Sequence, residues 1–247
     1  MLKILFINPV GTDAFDEHIL KTINDVKRAD VEVKVVHLSK GPIHLEYHYY
    51  EHLSMEETLK WVKWAENEGY NAVIIGCFYD PGLREAREIV SIPVIGVAEA
   101  TMHVAATLGH KFSIIVGRRK WIPKMESNVY LYGLGGKLAS FRILNFTVPM
   151  MLREPEKLKE AMISEARKAV EEDGAEVIVL GCTGESGFMK EIIEKIGVPV
   201  LDPVVVSWKY AEMLADLYQK VKLTHCKMFG YESPPREEGY LPKWEHR

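Results

Sequence analysis

The chain carries one punctuated strand pattern twice, and this duplication limits its fold more than any other feature. "EGYNAVIIGCFYDPGLREAREIVSIPVIGV" and "DGAEVIVLGCTGESGFMKEIIEKIGVPVLDP" share the same features in the same order. An acidic residue and a glycine precede an apolar run, then come Gly-Cys, a second glycine five residues after the cysteine, an amphipathic stretch and Pro-Val. "KILFINP" and "KFSIIVG" open the two halves in like fashion. Apolar runs separated by amphipathic stretches predict parallel strands covered by helices on both faces. Strands are expected over Lys3–Asn8, Val31–His37, Ala72–Gly76, Val94–Gly96, Lys111–Val116, Phe141–Leu144, Glu176–Gly181 and Val198–Leu201. Helices are expected over Ser54–Glu68, with Ser54 and Glu57 as a capping box, and over Glu156–Glu172 and Val204–Val221. The class is therefore α/β, in two βαβ-rich lobes. Each lobe puts its cysteine at a strand's carboxyl end, where open parallel sheets bind ligands, and a two-fold duplication turns both ends toward one cleft.

A lone free cysteine is most often a small buried hydrophobe, and that is the first reading of Cys77 taken singly. The pairing with Cys182 shifts the weight toward chemistry. Both cysteines follow glycine and precede a glycine-containing turn that leads into a helix. A thiol at a helix N-terminus is favoured as thiolate, and the same N–H groups can hold an enolate or imide oxygen. One thiol on each side of a carbon suits stereoinversion: one thiolate removes a proton α to a carbonyl while the other thiol delivers one to the opposite face.

At this point the residues resemble a known family. "GPIHLEYHYYEH", "GCFYDPGL", "GVAEA", "YGLGGKLASFR" and "DGAEVIVLGCTGESG", in this order between about Lys3 and Val221, resemble the hydantoin racemases of the aspartate/glutamate/hydantoin racemase superfamily. The resemblance implies two pseudo-symmetric Rossmann-like lobes with parallel-rich sheets and an active site in the cleft between them. Residues 1–98 with 206–222 would form the first lobe, 99–205 the second, and 223–247 a tail over the surface or against a neighbouring subunit. It implies cofactor-independent racemisation of a 5-substituted hydantoin or related ureide by Cys77 and Cys182, in a homo-oligomer. Asn8 matches the family's ligand-contacting asparagine, and Phe78, Thr183 and Gly184 would supply turn N–H groups or ligand contacts. Glu46 and Glu99 stand where the family carries acids near the cleft, with a helix-cap or salt-bridge role as the competing reading. "NPVGT" and "VGRRKW" depart from the family pattern; Arg118 or Arg119 could grip a carboxylate, though a solvated basic turn is the commoner use of such residues.

Other functions are less well supported by the chain. Aspartate and glutamate racemases should show Cys-Asn-Thr after their thiols, and arylmalonate decarboxylases use a single cysteine; maleate isomerase is a further relative. A two-lobed binding protein without turnover would keep its affinity on loss of either thiol, and a redox switch would need the two sulfurs to meet at ~2 Å. Across 247 residues a formal charge of -4 with scattered Lys and Arg gives no reason to expect nucleic acid or an anionic membrane as partner. No apolar segment reaches the ~20 residues of a membrane helix, and "MLKILFINPVG" lacks a secretory pattern, so a cytoplasmic location is expected. Three cysteines without C-x-x-C suggest neither a disulfide framework nor a zinc ribbon. His44, His48 and His52 recur every fourth residue, but the His-Glu-x-x-His order fails, so no metal is expected. "GLGG" at 133–136 reads as a turn.

Overall fold

Strand β1 (Leu2–Asn8) is apolar except at Lys3 and Asn8 and buried except at Lys3, which is the signature of a strand inside a parallel sheet. In the computed structural model, which describes residues 1–235, β1 lies between β2 (Val31–His37) and β3 (Ala72–Ile75). Strand β4 (Val94–Gly96) flanks β3, and every pairing is parallel. Helices α1 (Asp16–Asn24), α2 (His48–Asn67) and α3 (Leu83–Ile89) make the crossovers. The second half repeats this plan. Strand β5 (Phe112–Val116) lies between β6 (Leu138–Ile143) and β7 (Val177–Leu180), with β8 (Val200–Leu201) beyond. The strand orders β2-β1-β3-β4 and β6-β5-β7-β8 correspond element for element, as the duplicated sequence requires. Helix α4 (Val97–Leu108) joins the sheets, and α5 (Ile122–Leu131), α6 (Val148–Arg153), α7 (Pro155–Asp173) and α8 (Met189–Ile196) surround the second. Helix α9 (Pro203–Val221) returns to pack on α4 and the first sheet.

Alternation along β1 divides the interior. Leu2, Ile4 and Phe6 belong to a core that runs through α4 and α9 into the second sheet, whereas Leu5 and Ile7 face a smaller core beneath α2 and α3. The two sheets thus share one hydrophobic interior. Trp208 of α9 is fully buried at its centre, its indole N–H bonded to Glu212. Asp202 caps α9 through Val204 N at 2.9 Å.

Two sequence expectations are corrected. Helix α2 starts at His48, so Ser54 lies inside it, its hydroxyl bonded to the Glu51 carbonyl, and Glu57 accepts instead from Ser39 N. No side chain caps α2; rings of His44, Tyr47 and Tyr50 stack around its start, with centroids 5.1–6.2 Å apart. Strand β6 begins at Leu138, ahead of the expected Phe141, because its polar positions are anchored: Ser140 and Arg142 both bond Asp173. The stretch after α9 straps the α3–β4 connection, where Val94 N donates to His225 and Ser233 bonds the Glu88 carbonyl. Residues 236–247 of the expected tail lie outside the described residues.

Candidate active site

Each Gly-Cys step begins where a central strand ends. Gly76 N donates to the Ile7 carbonyl at 2.7 Å, and Gly181 N to that of Ile115 at 2.8 Å. A Cβ on Gly76 would stand 2.2 Å from the Phe6 ring, and one on Gly181 2.4 Å from the Ile115 oxygen, so only glycine fits at either step. Beyond each cysteine the chain makes the same tight turn: Asp80 N donates to Cys77 O and Glu185 N to Cys182 O, both at 2.9 Å. The turns bring backbone N–H groups to the sulfurs. Gly184 N lies 3.4 Å from Cys182 Sγ, and the Tyr79 N–H serves Cys77 in the same way.

Cys182 is the N-cap of a single 3-10 turn (Thr183–Glu185), its sulfur accepting from Gly184 N, so the expected helix N-terminus is met there by one short turn, whereas Cys77 stands in a turn ahead of α3. Asp80 holds a φ of 51° and Gly82, just before α3, one of 68°, so α3 begins only at Leu83; α8 likewise waits until Met189.

Both cysteines open into one cavity of about 550 Å³, its mouth included, lined from both lobes. Asn8, Glu46 and Phe78 line it from the first lobe, Thr183 and Gly184 from the second. Glu46 lines the wall, but its carboxylate is taken: Arg118 donates to it at 2.6 Å and Val148 N at 2.8 Å, tying the lobes together. Arg118 is therefore engaged by Glu46 while a third of its side chain stays exposed, and Arg119 is exposed. Glu99 is not among the lining residues. It pairs with the buried Arg87 guanidinium, and its backbone N–H caps onto Asp80. The rest of the lining is largely apolar, with Phe15, Leu45, Trp121 and Met125, and among the described residues it includes no lysine or arginine. Among the described residues no group of three or more His, Cys, Asp or Glu is arranged to hold a metal ion, and His48 and His52 are exposed on α2.

Burial between the lobes pushes the Cys77 thiol up to about 12, and it raises Cys182 well above the usual thiol range, with Glu185 adding to the effect. Burial thus keeps both cysteines as neutral thiols at pH 7. Two acids sit three residues after the cysteines. Asp80 accepts from Ala98 N and Glu99 N, each at 2.9 Å, and from the Tyr132 hydroxyl at 2.6 Å; burial still raises it to about 6. Glu185 is fully buried, and among the described residues neither carboxyl oxygen makes a well-formed hydrogen bond, only the backbone N–H groups of Gly181 and Cys182 lying near it. Burial holds it protonated, well above the usual carboxylate range. Both acids lie within the quoted motifs, yet only their common offset from the cysteines hints at a shared place. Tyr79 and Trp121, which line the cavity, were likewise not marked by the sequence, because aromatic residues read as packing.

With this geometry in view, the comparisons with known proteins are decisive. Residues 4–211 match the family model described as Asp/Glu/Hydantoin racemase. The chain belongs to that family. It is 35% identical to a hydantoin racemase of a Pseudomonas species, over 96% of this chain and 94% of that protein. It is 34% identical to the hydantoin racemase of Paenarthrobacter aurescens, over 97% of this chain and the whole of that one. The fold superimposes on an allantoin racemase from Klebsiella pneumoniae with a TM-score of 0.90 and 28% identity, covering 96% of this chain and 95% of the other. The chain is therefore an isomerase of the racemase type.

Proposed function

We propose that this protein racemises 5-substituted hydantoins or related ureides without a cofactor, by two-base proton transfer between Cys77 and Cys182. The observation that carries the reading is the pair of equivalent Gly-Cys turns lining one cavity, each with a backbone N–H at its sulfur. The lining supports the ring substrate over an acidic amino acid. Two carboxylates would find no lysine or arginine in the wall, whereas a neutral ring with an apolar substituent meets Phe15, Leu45 and Trp121. The relatives named hydantoin racemase and allantoin racemase support the same class.

In this mechanism the cysteine pair works with one proton between its two sulfurs. The thiolate on one face takes the hydrogen from the stereocentre, charge moves onto the adjacent carbonyl oxygen, and the thiol on the other face returns a proton to carbon. The product leaves with the proton on the opposite sulfur, and the reverse reaction starts from there. A thiol raised by burial gives a scarce thiolate at pH 7 but a strongly basic one. Activity should accordingly rise with pH, by up to about tenfold per unit from pH 6 to 8.5, since Cys77 titrates at about 12 in the free enzyme. The reading extends to a cytoplasmic homo-oligomer, which light scattering on purified protein would check.

The test is circular dichroism of one enantiomer of 5-benzylhydantoin in deuterated water, followed by mass spectrometry of the product. Signal decay with gain of one deuterium, absent in the Cys77→Ala/Cys182→Ala protein, is the expected result. Decay that persists in the double variant would overturn the cysteine assignment.

A further inference from the structure

Asn8 could turn either end of its amide toward the substrate, and the structure fixes which. Its Nδ2 donates to Asp16 Oδ1 at 3.1 Å, and Asp16 Oδ2 accepts from His37 Nδ1 at 2.7 Å. A carboxylate only accepts, so the amide must show Asp16 its NH2 group. The amide is planar, and its carbonyl oxygen is left facing away from Asp16. Three elements hold this chain of contacts. Asn8 and His37 are register partners at the ends of β1 and β2, and Asp16 is the first residue of α1. Asn8 is 4% exposed and lines the cavity. The register pairs Ile7 with Ile75, so Asn8 lies beside Gly76, one residue from Cys77.

We infer that Asp16, held by His37, is a positioning residue that fixes Asn8 as a hydrogen-bond acceptor beside Cys77, so that the site selects substrates with an N–H on the reacting carbon. The inference rests on the ring-racemase reading above. In a hydantoin the reacting carbon has two ring neighbours, a carbonyl carbon and an N–H. An acceptor suits only the N–H. The carbonyl oxygen, which gains charge during the reaction, needs donors, and the turn N–H groups at the cysteines are the donors available. The two needs are thus divided between the strand end and the turns.

The test compares 5-benzylhydantoin with 5-benzyloxazolidine-2,4-dione, in which a ring oxygen replaces that N–H. A site with a fixed acceptor rejects the oxygen ring, so the wild-type protein should favour the hydantoin in kcat/KM by roughly 100-fold. In Asp16→Asn the Asn8 amide is free to flip, and the ratio should fall by about tenfold or more, with the hydantoin loss expressed mainly in KM. His37→Phe should move the ratio the same way by a smaller factor. Each ligand is compared with itself across proteins, so the different acidity of the two rings cancels, and partial unfolding scales both ligands alike. An unchanged ratio in both variants, with hydantoin turnover intact and cysteine-dependent in wild type, would overturn this inference alone. If the wild-type protein racemises neither ring nor allantoin, the underlying reading is overturned and this inference with it.

Discussion

The two thiol turns share a backbone and differ in what lies beneath it. Each begins with a glycine jammed against a neighbouring strand, places a cysteine at the cavity, and closes through the N–H three residues on. At that third residue the symmetry ends. Asp80 accepts three hydrogen bonds, one of them from the Tyr132 hydroxyl, whereas Glu185 has no side-chain partner among the described residues and is faced only by the backbone N–H groups of Gly181 and Cys182, without a well-formed hydrogen bond. Asn128 adds a second tie to the first turn, through the Tyr79 carbonyl at 3.0 Å. The comparison teaches that duplication preserved what the reaction needs, a thiol and an N–H on each face, and left the supporting acids to diverge. The Cys77 turn is anchored by polar bonds. The Cys182 turn is held by packing and carries a buried proton.

The largest effect should come from the shared feature. Cys77→Ser and Cys182→Ser should each reduce turnover by roughly 1,000-fold in both directions, measured by polarimetry, because either direction needs both faces. A variant that lost only one direction would break the equivalence of the two turns.

The next effects should separate the turns. Asp80→Ala leaves two backbone N–H groups and a buried hydroxyl unpaired, and should cost on the order of 3 kcal/mol in denaturant unfolding. Asp80 also sets a pH window. Its folded-state value is raised from 3.8 to about 6, so its contribution is fully present below pH 4 and is lost as pH rises through 6. That loss is roughly 3 kcal/mol for this group, and Asp80→Asn should remove it from the pH profile of stability.

Glu185 should behave in the opposite sense. Replacing a buried carboxyl that makes no well-formed hydrogen bond by an apolar side chain of similar size, as in Glu185→Met, should stabilise the protein by about 1 kcal/mol. Its raised value means that stability falls as the pH climbs through its titration, and the variant should lose that alkaline decline. If Glu185→Met destabilises as much as Asp80→Ala, the two turns are supported alike and the contrast fails.

The fold was legible because its main signal is repetitive. Apolar runs at 4–7, Ala72–Ile75 and Val177–Leu180 fit fully buried parallel strands, and the repeated Gly-Cys marked where each central strand ends. The start of α2 was not legible, because it has no capping side chain and is marked only by packed rings of His44, Tyr47 and Tyr50, which carry no local sequence signature. In the site, the cysteines stood out by their pairing. Partnerships across the lobes did not: Glu46 with Arg118 joins residues far apart in sequence, and Arg87 draws Glu99 away from the cleft. The state of the thiols was also hidden, since proximity to a turn suggests a thiolate and only the enclosing lobes reveal that burial prevails.

Deuterium exchange into each enantiomer of 5-benzylhydantoin by the two single Cys→Ser proteins tests the central claim most directly. Two equivalent turns on opposite faces predict that each variant exchanges one enantiomer only, and that the two variants choose opposite ones. Exchange of both enantiomers by either variant would show that a single face can do all the proton transfer, and would contradict the two-thiol account.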